Sequence, residues 1–417
     1  MRHIFRMIRL FIFIGIVLAL DFYALQSVRS VTKNPLVTLF YVLCSVAVLG
    51  NIIFQSLNLD RASGINHSFY TAFALFVLFY VPKFILVAAM FGEDVFRLFE
   101  GLYNAIFTKT TLEPPLFSGR RKFIGQLALG MAAIPFLSIL YGITKGKYNY
   151  KVLKYTLFFE DLPSEFDGYK ITQISDIHSG SFDEKAKIEY AVDLINEQAS
   201  DVIMFTGDLV NSKTSEMIPW KATFSKLYAK DGVFSVLGNH DYGDYMRWPS
   251  KEDKAKNFQD MLKLQDEMGF QLLLNASKFI EKNGQRIAVV GVENWGKGFK
   301  QKGDLKKATS EINPNDFKIL LSHDPSHWEY EVIKDKLHYH LTLSGHTHGM
   351  QFGIEIPGVF KWSPIKWRYK YWAGLYQQAG QYLNVNRGFG FLAFPGRVGI
   401  WPEITVITLR KGKKEVK

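Results

Sequence analysis

Cysteine is almost absent. The chain holds one in 417 residues, Cys44, and it sits inside an apolar segment where a small buried side chain is expected. No intramolecular disulfide can form. A thiolate nucleophile or cysteine-type zinc site is excluded from everything after the first 44 residues. Acidic side chains are in deficit, with 39 Asp and Glu against 50 Lys and Arg, for a net charge of +11. Such an excess suits an anionic membrane surface or a nucleic acid. The chain has no Gly-x-Ser-x-Gly, so a serine triad has no support. Internal repeats, low-complexity tracts and nucleic-acid-reading motifs are missing too. What is abundant is apolar: 48% of residues are hydrophobic and 15% aromatic, with the excess concentrated before about residue 145. Membrane lipids are therefore the expected partner, and nucleic acid is not.

Four runs before residue 145 have the character of membrane helices. They are Leu10 to Leu20, which follows Arg2, Arg6 and Arg9, then Leu36 to Phe54, Phe69 to Phe91, and Ile124 to Ile143. A crossing needs about 20 apolar residues, so the last three qualify and the first is short. Pro82 and Lys83 interrupt the third, and Lys83 reads as a snorkelling or kink-associated residue. Glu93 to Phe107 has helical apolar spacing and reads as a separate amphipathic helix, ended by Pro114 and Pro115. Ser118-Gly119-Arg120-Arg121-Lys122-Phe123-Ile124 is similar to a twin-arginine export signal. Its internal position favours a plain positive-inside anchor. The face of the membrane on which the C-terminal part lies stays open.

From about Tyr148 the composition becomes that of an α/β domain. Strands are expected at Lys170 to Ser175, Asp201 to Thr206, Gly232 to Leu237, Arg286 to Val292, Phe317 to Leu321, His340 to Leu343, Gln381 to Asn386 and Ile404 to Leu409. Helices are expected at Lys185 to Glu197, Pro219 to Lys230 and Asn257 to Gly269. The organisation is a membrane region over 1–147 with about four transmembrane helices, a catalytic domain over 148–410, and a charged tail over 411–417.

Five apolar runs in this part end in metal-ligand residue types: Asp176-Ile177-His178, Gly207-Asp208, Gly238-Asn239-His240-Asp241, Ser322-His323 and Gly345-His346-Thr347-His348-Gly349. Five of the ten histidines fall in these clusters. Ligands of open α/β sheets bind beyond the carboxyl ends of strands, so all five can face one crevice. Two metals at about 3.5–4 Å need a shared anionic ligand, and a carboxylate such as Asp208 can bridge them. A donor set of imidazole, carboxylate and amide without thiolate suits two divalent ions of manganese, iron or zinc. Gly207, Gly238 and Gly345 would allow tight turns that aim the following side chains.

In this order the five clusters resemble the calcineurin-like metallophosphoesterases over about Tyr148 to Leu409. Leu162 to Lys170, Asn386-Arg387-Gly388-Phe389-Gly390 and Pro402-Glu403-Ile404 are similar to a membrane-attached branch that includes bacterial phosphodiesterases and UDP-2,3-diacylglucosamine hydrolases. The resemblance implies a four-layer αββα sandwich. It implies that Asp176, His178 and His348 bind one metal, that Asn239, His323 and His346 bind the second, and that Asp208 bridges. His240 would be the acid for the leaving group, with Asp241 orienting it. The implied reaction is attack of a metal-bridging hydroxide on a phosphoester without a covalent intermediate. Met350 departs from the branch, which usually has a glycine there.

The substrate expected from a metal site beside membrane segments is a lipid-linked or nucleotide-sugar-lipid phosphate, cleaved as a diester or pyrophosphate at the bacterial inner membrane. A tethered phosphomonoesterase acting on soluble or protein phosphates is the alternative. Lys361 to Tyr376 interleaves aromatic and basic residues, as a lipid-facing loop or an inward-packed one would. Oligomeric state is not legible. Asn275 and Glu293 could touch the site, while His327, His338 and His340 read as surface or core histidines.

Overall fold

The computed structural model of the chain describes residues 2–59, 67–107, 119–356 and 358–413. The expected break at residues 114–115 and the end of the charged tail, 414–417, lie outside them. The described residues divide into two compact units, one ending at Tyr141 and one starting at Gly142.

The first unit is built from α1 (Arg2–Val31), α2 (Pro35–Leu57), α3 (His67–Phe107) and all but the last turn of α4 (Arg120–Thr144). Each is long and apolar enough to cross a membrane. α2 starts at Asn34, whose side chain accepts from Leu36 N at 2.9 Å, with Pro35 in the first helical position. The third span and the separate amphipathic helix expected from the sequence are one 41-residue helix that runs through Pro82. Proline is tolerated in apolar helices because neighbouring groups satisfy the freed carbonyl. At about 1.5 Å per residue, α3 is about 60 Å long, twice what one crossing needs.

Two polar clusters tie these helices together. Lys83 does not snorkel. It is buried, with its ammonium on the Asp21 carboxylate and, at 2.8 Å, on Ser45 Oγ. Tyr80 donates to the other Asp21 oxygen at 2.8 Å. This joins α1, α2 and α3 through a charge pair whose hydrogen bonds are made within the bundle. In the second cluster Arg121 bonds Glu93 at 2.9 Å and also reaches Asp94, Arg120 bonds Glu100 at 3.3 Å, and Tyr23 donates to Asp94 at 2.6 Å. The paired arginines of α4 are thus held by the acids of α3.

The second unit stacks two six-stranded mixed sheets. The first runs β1 (Lys151–Phe159), β14 (Glu403–Lys411), β2 (Lys170–Ile174), β3 (Val202–Phe205), β4 (Val233–Ser235), β5 (Phe270–Leu272). The second runs β12 (Gly374–Gln378), β13 (Gln381–Val385), β9 (Leu341–Ser344), β8 (Phe317–Leu321), β7 (Gln285–Gly291), β6 (Ala276–Lys282). A small hairpin pairs β10 (Ile354–Ile356) with β11 (Phe360–Trp362). Helices α5 (Lys185–Asn196), α6 (Lys221–Phe224) and α7 (Lys251–Glu267) belong to the first sheet's outer face, and α8 (Leu305–Ala308) and α9 (Ser326–Tyr330) to the second's.

Three apolar cores show the layering. Ile171, Met204, Val289, Ile319 and Leu343 pack between the sheets. Ile188, Val192 and Met261 cover the first sheet outside, and Leu305 and Trp328 cover the second. This is the four-layer αββα arrangement. A polar seam registers the sheets near the strand ends. Gln173 of β2 donates to Ser344 O of β9 at 2.8 Å and accepts from Asn384 of β13 at 2.7 Å.

Two helix boundaries differ from expectation. α7 begins earlier, where Ser250 accepts from Asp253 N at 3.0 Å and Glu252 and Asp253 lie in the first turn. The segment expected to be helical from Pro219 has only the single turn α6, following a 3-10 stretch that ends at Trp220.

Removing one partner of a buried ion pair leaves a charge stranded. Lys83→Met is expected to destabilise the full chain in detergent by about 3–5 kcal/mol, read as a fall in thermal midpoint. The Asp21→Asn, Lys83→Met double variant is expected to recover most of the loss. A double variant as unstable as the two single losses added together would contradict the pairing.

Candidate metal centre

The five clusters converge. β2, β3 and β4 are parallel neighbours in the first sheet, and β8 and β9 are parallel neighbours in the second. Their carboxyl ends lead into loops that bond one another. Asp176 N donates to Gly207 O at 2.9 Å, His178 N to Asp208 O at 3.1 Å, and Gly345 N to His323 O at 2.8 Å. His346 N donates to Asp176 Oδ2 at 2.9 Å, which links the loop after β9 to the loop after β2 across the sheets.

Two groups of side chains result: Asp176, His178 and His348, and Asp208, His323 and His346. In each, one donor atom per residue lies within 4.8 Å of the others, as a single metal ion requires. In the first group His178 Nε2 is 3.0 Å from His348 Nε2, which is 3.1 Å from Asp176 Oδ1. In the second, His323 Nε2 is 3.2 Å from His346 Nδ1. Asp208 joins the two groups through one atom. Its Oδ2 lies 3.1 Å from His323 Nε2 and 3.6 Å from His178 Nε2, while its Oδ1 accepts from His240 N at 2.8 Å. Asn239 Nδ2 donates to Tyr245 at 2.7 Å, and its Oδ1 is buried with no partner among the described residues. The same holds for His178 Nδ1. Clustered nitrogen and oxygen lone pairs, with an orphaned amide oxygen, are a donor set that divalent cations fit.

Protons on the other ring nitrogens follow from their neighbours. His323 Nδ1 faces Thr206 O at 2.7 Å and His240 Nδ1 faces Asn211 O at 2.6 Å. A carbonyl can only accept, so both Nδ1 atoms carry hydrogen and each Nε2 is left to face its other neighbours. His346 is turned round, with Nε2 at 2.8 Å from Tyr369 OH and 3.5 Å from Asp324 Oδ2.

Burial would raise the carboxyls of Asp176 and Asp208, but the facing histidines, His348 and His323 foremost, hold both well below the usual carboxylate range. Burial lowers His178 and His346. His323 is also opposed by burial, yet Asp208 beside it lifts it to about 10.

The backbone is bent to make these contacts. Asp176, His178, Asp208, His346 and His348 all have positive φ, between 48° and 69°. Of the three glycines expected to supply such turns, only Gly207 has positive φ, at 95°. Gly238 and Gly345 are needed for close approach. A Cβ on Gly238 would lie 2.1 Å from Asp208 Oδ1, and one on Gly345 would lie 2.2 Å from Asp176 Oδ2 and 1.9 Å from Ser175 Oγ.

Asp241 was expected to orient His240. Instead its carboxylate accepts from the backbone of Gly238 at 2.8 Å, Asp208 at 2.9 Å and Leu209 at 2.8 Å. It fixes the loop after β3 against the loop after β4. Asn211 O and the Tyr245 ring, stacked at 4.2 Å, hold the His240 ring. Asn275 and Glu293 bond each other at 2.9 Å. Among the described residues, His327, His338 and His340 join neither group. Asp324, Tyr369 and Arg397 went unnoticed in the sequence. Asp324 sits beside His323 and had a weak signal. Arg397, buried with Nη2 3.3 Å from His348 Nδ1, had none.

Comparison with known proteins agrees with this geometry. Residues 5–147 match the family described as a probable calcineurin-like phosphoesterase transmembrane domain, and residues 169–350 match the calcineurin-like phosphoesterases. An uncharacterized metallophosphoesterase of Bacillus subtilis, YkuE, is 30% identical over 60% of this chain and 82% of its own. A transmembrane protein with metallophosphoesterase domain from Danio rerio is 25% identical over 78% of this chain and 72% of its own. An uncharacterized metallophosphoesterase of Aquifex aeolicus is 27% identical over 67% of this chain and 99% of its own. The chain belongs to the calcineurin-like metallophosphoesterases. It is a membrane protein and a metal-dependent phosphoester hydrolase.

Gly345→Ala is expected to keep the fold but lose at least half of the bound divalent metal, read by elemental analysis of the purified chain. Unchanged metal content would show that the close approach of Gly345 to Asp176 does not matter.

Proposed function

We propose that residues 148–410 hydrolyse a diester or pyrophosphate bond in a lipid-linked or nucleotide-sugar-lipid phosphate at the bacterial inner membrane. Residues 1–147 would supply the membrane attachment, with 411–417 a charged tail. The observation that carries the reading is the position of Asp208 Oδ2 between His323 and His178. One anionic oxygen shared by two donor groups is what a close pair of divalent cations needs.

In this reading Asp176, His178 and His348 hold one ion, Asn239, His323 and His346 hold the other, and Asp208 holds both. Ions of manganese, iron or zinc fit these donors, and when bound would neutralise phosphoryl oxygens and provide an activated water. The remaining chemistry belongs to His240. With Nδ1–H committed to Asn211 O, its Nε2 is the atom that carries and gives up a proton, which suits it to protonate a leaving alkoxide or phosphate. Asp241 keeps the two loops under it in place. The lipid part of the reading is supported by four helices able to cross a membrane in the same chain.

The test compares metal-dependent turnover of lipid and non-lipid phosphodiesters by the full chain and its His240→Ala variant. Lipid esters are expected to be cleaved. The variant should slow poor leaving groups by about 10²–10⁴-fold and good ones far less, with metal content near normal. Preference for p-nitrophenyl phosphate over its bis-ester without lipid turnover would contradict the substrate class. Equal slowing of all leaving groups would contradict the proton donor.

A further inference from the structure

The hairpin β10–β11 is built inside out. In an antiparallel pair, opposed residues share a face and successive residues alternate. Ile354 opposes Trp362 and Ile356 opposes Phe360, so these four share one face, while Glu355 and Lys361 share the other. On that second face Glu355 turns to the protein, while Lys361 stays exposed along its stem and bends its ammonium back. Glu355 is paired with Arg387, which is paired in turn with Glu403, and the Lys361 ammonium bonds Ala373 O. The apolar face is left outward, with Ile354, Ile356 and Phe360 each more than half exposed.

The surroundings continue the pattern. At the hairpin's tip Val359 is 81% exposed, and Met350 and Trp367 flank it at 54% and 76%. Trp367 packs edge-on against Trp362 with ring centres 5.9 Å apart. Exposed Lys366, Arg368 and Lys370 stand beside Trp367. Between Glu355 and Glu403 the sequence contains no acidic residue. Of the two readings left open for Lys361 to Tyr376, Tyr369, Tyr371 and Trp372 follow the inward-packed one, since all three are buried.

We infer that this face, β10–β11 with the turn at Lys366–Arg368, enters an anionic bilayer surface. Outward aliphatic and indole groups bury in the interfacial layer, and adjacent cations meet lipid phosphates. Charge complementarity, tryptophans at the margin and the chain's own membrane helices name a lipid bilayer as the occupant. The hairpin follows directly on the His348–Gln351 turn and precedes Tyr369, which touches His346. Lipid contact here is independent of which phosphoester is cleaved, and can be read without turnover.

All eight tryptophans lie at or after Trp220, so tryptophan emission of the full chain reports only on the second unit. In proteoliposomes of mixed zwitterionic and anionic lipid with brominated acyl chains, emission is expected to be quenched. The Trp362→Phe, Trp367→Phe variant should lose about half of that quenching or more, as befits interfacial indoles. Lys366→Glu with Arg368→Glu should weaken quenching on anionic bilayers and leave it unchanged on zwitterionic ones. Equal quenching in wild type and the tryptophan variant would overturn the inference. So would quenching that follows protein density and not brominated-lipid fraction, which would assign the face to a second copy of the chain.

Discussion

One carboxylate oxygen stands between two histidines that come from different sheets. Asp208 Oδ2 faces His178, from the loop after β2, and His323, from the loop after β8. Without an anion there, four imidazoles would crowd together with no charge shared between the two groups. With it, burial works for the site, because charge interactions strengthen where water is excluded. The same need explains the seam behind it. Gln173 ties β2 to β9 and β13, so the two sheets cannot slide and the strand ends stay opposite each other.

Holding donors this close costs backbone strain. Five of the seven proposed ligands sit at positive φ, and a non-glycine residue in that region costs about 1–3 kcal/mol. The loops persist because each is over-determined. The Asp241 carboxylate gathers the backbone N–H groups of Gly238, Asp208, Leu209 and Val210, and the loops after β2 and β3 trade backbone hydrogen bonds. Strain concentrated at one place, on residues of ligand type, marks that place as functional and not merely structural.

Much of this was legible in the sequence. Short apolar runs ending in Asp, Asn or His marked the five strands that carry the site, since buried parallel strands read as continuous apolar stretches. Other elements gave weaker signals. β1 carries Lys151 and Lys154 at the sheet's edge, so its alternation is blurred, and β5 has three residues. Pro82 and the charges from Glu93 onward made α3 look like two helices. Asp241 follows His240 in the chain, which suggests a partner, yet its carboxylate accepts from the backbone of Gly238, Asp208 and Leu209. Lys83 could be flagged as costly, but its partner, Asp21, is 62 positions away. Tyr369 and Arg397 reach their histidines only through tertiary folding. The inverted polarity of β10–β11 depends on which face turns inward, and the alternating pattern of a strand is the same either way.

The central claim is that Asp208 serves two ions at once. The direct measurement is the divalent-metal content of the purified full chain and of its Asp208→Asn variant, by elemental analysis after equilibration with manganese. Two ions per wild-type chain, and no more than one in the variant, is the predicted result. A single ion in the wild type, or two retained by the variant, would contradict it.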